Sequence, residues 1–203
     1  MNMVAGGPFL SEKAISPQAT AALEAKYGLD KPLWQQYLTY MAGASHGDFG
    51  DSLKQRGRTV MDIITMKFPV SARVGGVSVL VALLLGVPLG CIAALKRGKF
   101  LDNLISVVST CGIAVPSFVI CTLLLYFFGV RLQILPTMGL TSWKHYVMPV
   151  MALAFYPTAY IMRLMRSSML DVLGQDYMRT AKAKGLAGGK ILFKHALRNA
   201  ILP

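Results

Sequence analysis

Few side chains in this sequence are of the kind that make or break bonds. There are three histidines, three cysteines and nine acidic residues in 203 positions. Cys91, Cys111 and Cys121 have no CxxC spacing and lie in apolar surroundings, so they read as small buried hydrophobes, not as a disulfide framework or metal site. His46 and Asp48 stand by themselves in a glycine-rich turn, His145 reads as a loop residue and His195 as a packing residue. No nucleophile–base pair or metal cluster emerges, so catalytic, cofactor and metal residues are all expected to be none. The phosphate-cradling pattern GxxxxGK[ST] does not occur. What the sequence does carry is a recognition surface. In Asp176-Tyr177-Met178-Arg179-Thr180-Ala181-Lys182-Ala183-Lys184-Gly185-Leu186, helix formers lead up to a glycine suited to a C-cap. Gly188-Gly189 breaks the chain again, and a second helix starting near Lys190 puts Lys190, Lys194 and Arg198 at i, i+4 and i+8 on one face. Helix, glycine turn, helix makes a compact docking knob. An ordinary basic flank drawn to anionic lipid is the alternative.

The elements that hold this knob are apolar. The chain is 54% hydrophobic and 15% charged, where a soluble domain carries about 25% charged residues. Residues 74–95 and 103–130 form runs of 22 and 28 positions without a charge. At about 1.5 Å per residue the first run covers roughly 33 Å, enough to cross a hydrocarbon core of about 30 Å. A third run, residues 145–162, holds 18 uncharged residues between Lys144 and Arg163 and gives a shorter, less apolar span set at about 145–165. The alternative of buried helices in a large soluble core is weakened by two such long uncharged runs. The expected fold is therefore all-α: a polytopic membrane protein. Proline in a membrane helix removes a donor and bends the axis, so kinks are expected at Pro88, Pro116, Pro149 and Pro157. Gly86 and Gly90 flank Pro88 as further breakers, and Gly75, Gly76 and Gly112 are suited to close helix approach. No Asp, Glu, Lys or Arg lies within the uncharged runs, which argues against a proton-driven carrier.

Charge placement gives the orientation. Lysine plus arginine exceed aspartate plus glutamate by 21 to 9, a net charge of +12. Lys96, Arg97 and Lys99 follow the first span, and eight basic residues follow position 162 against Asp171 and Asp176. By the positive-inside rule both segments face the cytoplasm, so the basic excess is mostly a topology signal and nucleic acid is not an expected partner. Residues 1–66 then form an extracytoplasmic segment, residues 67–203 a partial transmembrane domain, and residues 166–203 its cytoplasmic loop. In the outer segment Ser16-Pro17 starts a helix that Gly28 ends, and Asp30 caps a second with Pro32 in its first turn. Leu33, Trp34, Tyr37, Leu38 and Met41 form a stripe on that second helix. The turn from His46 to Ser52 reads as a loop packed over the helix pair, or alternatively as a surface for an external partner. An exported segment needs an export device, and residues 1–10 have neither a basic n-region nor an apolar h-region. The expectation is a fragment of a longer permease-like protein.

The loop strings then resemble a known family: the integral-membrane permease subunits of ATP-driven, binding-protein-dependent importers (ABC transporters), in their oligopeptide/dipeptide branch. The general mark of these subunits is Glu-Ala-Ala, three residues, Gly, nine residues, Ile-X-Leu-Pro. Alignment on Gly185 sets Arg179-Thr180-Ala181 at Glu-Ala-Ala, His195 at Ile and Leu197-Arg198 at Leu-Pro, so Ala181, Gly185 and Leu197 match. The peptide branch reads like Tyr-X-Arg-Thr-Ala-Arg-Ala-Lys-Gly-Leu and then His-Ala-Leu-Arg-Asn-Ala. Tyr177, Arg179, Thr180, Ala181, Ala183, Lys184, Gly185 and Leu186 follow it, with Lys182 in place of an arginine; His195 through Leu197, Arg198, Asn199 and Ala200 follow the second string. Lys26-Tyr27-Gly28-Leu29-Asp30-Lys31-Pro32-Leu33, the turn from His46 to Phe49, Phe68-Pro69-Val70-Ser71-Ala72 and Pro116-Ser117-Phe118 extend the resemblance over nearly the whole chain.

The resemblance implies a six-span subunit, of which this sequence lacks the first span and the last two, with a type I importer transmembrane fold. It implies a permease, not an enzyme, in the cytoplasmic membrane of a prokaryote. The implied partners are a second homologous permease subunit, two ATPase subunits, an extracytoplasmic peptide-binding protein and the lipid bilayer. The loop from Tyr177 to Asn199 would dock in the ATPase, with Lys182, Lys184 and Arg198 facing its acidic groups. Importers of nickel, dipeptides or glutathione share the branch and are the alternatives. A membrane anchor whose basic tail binds lipid or nucleic acid is a different class, disfavoured because such a tail needs charge but not this order of residues.

Overall fold

The computed structural model describes Gly28 and residues 31–202, except Leu53, Lys54 and Arg56. Among the described residues the structure is helical, with a single isolated antiparallel bridge between Asp51 and Thr59. The chain divides into two compact units, residues 1–71 and 72–203.

In the first unit, α1 spans Leu33–Ser45, and the Pro32 carbonyl accepts the Gln35 and Gln36 N–H groups at 2.9 and 3.1 Å. Pro32 is thus the residue before the helix, not a member of its first turn. The helix expected from Ser16 and the Asp30 cap lie outside the described residues, although Gly28 has the left-handed φ of +64° suited to a helix end. The stripe of Leu33, Trp34, Tyr37, Leu38 and Met41 is exposed throughout. The turn after α1 is closed by the Asp48 carboxylate, which accepts the Gly50 N–H at 2.9 Å. The next helix opens on a reciprocal capping box: Thr59 N–H donates to Asp62 and Asp62 N–H to Thr59 Oγ1, both at 3.1 Å.

That helix, α2, spans Val60–Leu95, and the division between units falls within it. The second unit continues with α3 (Phe100–Ala114), α4 (Ser117–Leu124, wound on as a π-helix over Leu125–Arg131) and α5 (Lys144–Leu173). Helices α2 and α5 are each long and apolar enough to cross a bilayer. The second uncharged run is more than a kinked span: α3 and its continuation meet at 101°. The cause is Pro116, which supplies no N–H to continue α3 and drives the residue before it out of helical geometry; Val115 has φ −83° and ψ 123°. Helices α2 and α5 continue through Pro88, Pro149 and Pro157 without such a break.

Helices α3 and α4 pack on α5. Small residues let backbones approach. A β-carbon on Gly86 would sit 2.7 Å from Ile161, one on Gly90 2.7 Å from the Met162 carbonyl, and one on Gly112 2.6 Å from Ala159. Of the glycines expected in this role, Gly112 takes it while Gly75 and Gly76 face open space; Gly86 and Gly90, read as helix breakers, are the contact residues. The outward faces remain apolar, with Leu80, Leu84 and Val107 at least 60% exposed. The cysteines follow this inversion. Cys91 and Cys121 are half-buried, but Cys111 is exposed, because an apolar side chain on a membrane helix gains nothing by turning inward from lipid.

Candidate docking site around Gly185

The knob is built by two helices on the end of α5. Helix α6 covers Asp176–Ala183, buries Met178 and Ala181, and leaves Tyr177, Arg179, Thr180, Lys182 and Ala183 outside. Its end is a Schellman motif: Gly185 N–H donates to the Lys182 carbonyl at 3.0 Å and Leu186 N–H to the Ala181 carbonyl at 3.4 Å. The motif requires a left-handed residue, and Gly185 has φ +69° with its α-carbon open to solvent.

Helix α7 follows as one run, α-helical over Gly188–Lys190, π-wound over Ile191–Leu197 and α-helical over Arg198–Ala200. It begins two residues before the expected Lys190. Its buried residues are Ile191, Ala196 and Ala200, spaced five and then four, as the wider i→i+5 turn dictates. That turn also means that Lys190, Lys194 and Arg198 are not the straight α-helical stripe their spacing suggests, though all three are exposed. Ala181, Met178, Ile191, Ala196 and Ala200 join Met165 and Met169 of α5 and Ala94 of α2 in one core, with Leu186 and Leu197 half-buried against it.

The structure thus gathers the expected site residues on one knob. Tyr177, Arg179, Thr180, Lys182, Ala183, Lys184, Gly185, Arg198 and Asn199 form its surface, His195 is half-buried, and Ala181 belongs to its core. Asn199 Nδ2 donates to Tyr177 Oη at 3.0 Å, tying α7 to α6. The exposed Arg179–Asp176 pair, at 3.5 Å, adds little, since two solvated side chains gain as much from water.

Three buried anchors escape sequence reasoning. Met169 and Met178 are almost fully buried, and nothing in their spacing separates them from the neighbouring apolar residues. Asp102, 2% exposed, accepts two hydrogen bonds from the Arg166 guanidinium, Nε to Oδ1 and Nη2 to Oδ2, the latter at 2.9 Å. Its one sequence signal is position: Asp102 immediately precedes the second uncharged run, and Arg166 lies just past the third. Among the described residues no group of three or more His, Cys, Asp or Glu is placed to hold a metal.

Apolar helices, two of them long enough to cross a membrane, that carry a compact helical knob with a polar outer face define a polytopic membrane protein. Comparison with known proteins makes the class specific. Residues 86–203 match the family described as binding-protein-dependent transport system inner membrane component. All of the chain is 45% identical over 203 residues to the dipeptide transport system permease protein of Bacillus subtilis, of which it covers 66%. It is 41% identical over 205 residues to the oligopeptide transport system permease protein of Salmonella typhimurium and 39% to that of Escherichia coli K12, covering 67% of each. The chain belongs to the inner membrane components of binding-protein-dependent transport systems. It spans about two thirds of the length of these relatives.

Proposed function

We propose that the protein is a permease subunit of an ABC importer, forming part of the path by which dipeptides or oligopeptides cross the cytoplasmic membrane. The names of the relatives support the peptide cargo. The observation that carries the mechanism is the Gly185 knob: a helix–turn–helix packed on the end of a membrane helix, with Lys182, Lys184 and Arg198 exposed. On this reading the knob faces the cytoplasm, where the positive-inside rule puts the segment after position 162, with eight basic residues against two acidic ones. It seats in a cleft of a separate ATPase subunit, and closure of two such subunits on ATP moves the knob and, through α5, the membrane helices. A second permease completes the path, and an extracytoplasmic binding protein delivers the peptide. ATP is hydrolysed on the partner, not on this chain.

Purification of the full-length protein from its native membrane in mild detergent, with partners identified by mass spectrometry, tests this assembly. The expected result is co-purification with a second permease and ATPase subunits. A full-length protein recovered repeatedly without any ATPase contradicts the reading.

A further inference from the structure

Asp102 is a buried carboxylate in a role that the docking surface does not require. Its oxygens receive the forked pair from Arg166, the Gly98 N–H at 2.9 Å and, more distantly, the Ser106 hydroxyl at 3.5 Å. A guanidinium fork on a carboxylate fixes both distance and plane, which a contact between apolar side chains does not. We propose that Asp102 and Arg166 are positioning residues for coupling: they lock the first turn of α3 to α5, so that the knob, the end of α2 and the start of α3 move as one body. The proposal rests on the importer reading and deepens it.

Three elements meet at this pair. Asp102 comes from α3, and through Gly98 it also holds the turn that joins α2 to α3. The backbone of Arg166 is approached by α2, where a β-carbon on Gly90 would lie 3.2 Å from the Arg166 N and 2.7 Å from Met165. Arg166 in turn lies between Met165 and Met169, both in the core shared with α6 and α7. A push on the knob therefore reaches α5 through packed methionines and passes from α5 to α3 through an ion pair. Without the pair, α3 keeps its small-residue contact at Gly112 and Ala159 but loses the tie at its knob-proximal end. Loss of Arg166 leaves the Asp102 carboxylate buried without its cation, whereas Arg166, with 31% of its side chain exposed, keeps access to solvent when Asp102 is lost.

The test uses the assembled transporter with the full-length chain, its native cysteines replaced, and spin labels at Phe100→Cys on α3 and Ala187→Cys in the knob. Both positions are exposed. The expected result is a narrow label–label distance that ATP does not change in the parent. Asp102→Asn broadens it, and raises the ATP hydrolysed per molecule imported severalfold at equal yield of folded complex. Arg166→Lys keeps the charge without the fork and gives a smaller change in the same direction; it decides the matter if Asp102→Asn does not assemble. A parent distance that shifts with ATP, or variants whose distances match the parent, overturns the lock. The distances are read without any cargo, so a parent complex that imports no peptide defeats the importer reading and leaves this test standing.

Discussion

Asn199 and Tyr177 stand 22 residues apart in sequence, yet the amide of one donates to the hydroxyl of the other at 3.0 Å, across the turn at Gly185. The same amide donates to the His195 carbonyl at 3.0 Å, which fixes its direction. Tyr177 is 41% exposed, so water competes for the bond and its net worth is about 0.5–1.5 kcal/mol. Tyr177→Phe and Asn199→Ala are each expected to speed amide hydrogen exchange in residues 184–190 without lowering folded yield. The double variant should match Asn199→Ala, since that change removes the bond to Tyr177 and the one to His195 together. Unchanged exchange in both singles removes this tie from the account.

Gly185 makes a sharper prediction. A β-carbon there meets nothing within 4 Å, so the penalty for substitution is backbone strain, not collision. An L-residue held at φ +69° costs about 1–2 kcal/mol, least for asparagine and more for a β-branched residue. Gly185→Asn should retain coupled transport, whereas Gly185→Val should hydrolyse ATP with little import. Normal ATP-driven uptake by the valine variant removes the docking assignment.

Close packing separates the glycines. At Gly90 the obstacle is the Met162 carbonyl at 2.7 Å, a backbone atom that cannot swing away, so Gly90→Val should give aggregated protein. At Gly75 nothing lies near, and Gly75→Ala should be neutral or stabilising by up to about 1 kcal/mol through helix propensity. Size-exclusion profiles in detergent read both. Equal profiles for the two variants count against the packing described for α2 on α5.

Met169 is fully enclosed in the knob core. Met169→Ala should lower stability by about 2–5 kcal/mol, because the surrounding helices cannot close the cavity completely. Met178→Leu conserves volume and should cost less than about 1.5 kcal/mol. Thermal unfolding of the detergent-purified subunit compares them.

The helices and the Gly185 turn were legible because their signals are local. Uncharged runs set the membrane helices, and a glycine after a run of helix formers gave the C-cap. What was hidden depends on partners distant in sequence. Whether Gly86 or Gly75 touches a neighbour is decided by Ile161 and the path of α5, not by the residues around the glycine. Asp102 and Arg166 are 64 residues apart, and neither carries a mark of the other in its own neighbourhood. The π-winding of Ile191–Leu197 likewise follows from seating Ile191, Ala196 and Ala200 on the core, which no helical spacing of the lysines discloses. The break at Pro116 was visible as a proline, but its 101° angle was not.

On the proposed function, this chain couples ATP hydrolysis on another subunit to peptide import through the Gly185 knob. The most direct measurement is uptake of a labelled dipeptide or short oligopeptide into proteoliposomes that hold the full transporter, with its binding protein and ATP on the appropriate sides. ATP-dependent accumulation that Gly185→Val abolishes while ATP hydrolysis continues is the expected result. Accumulation that is independent of ATP, or unaffected by Gly185→Val, contradicts it.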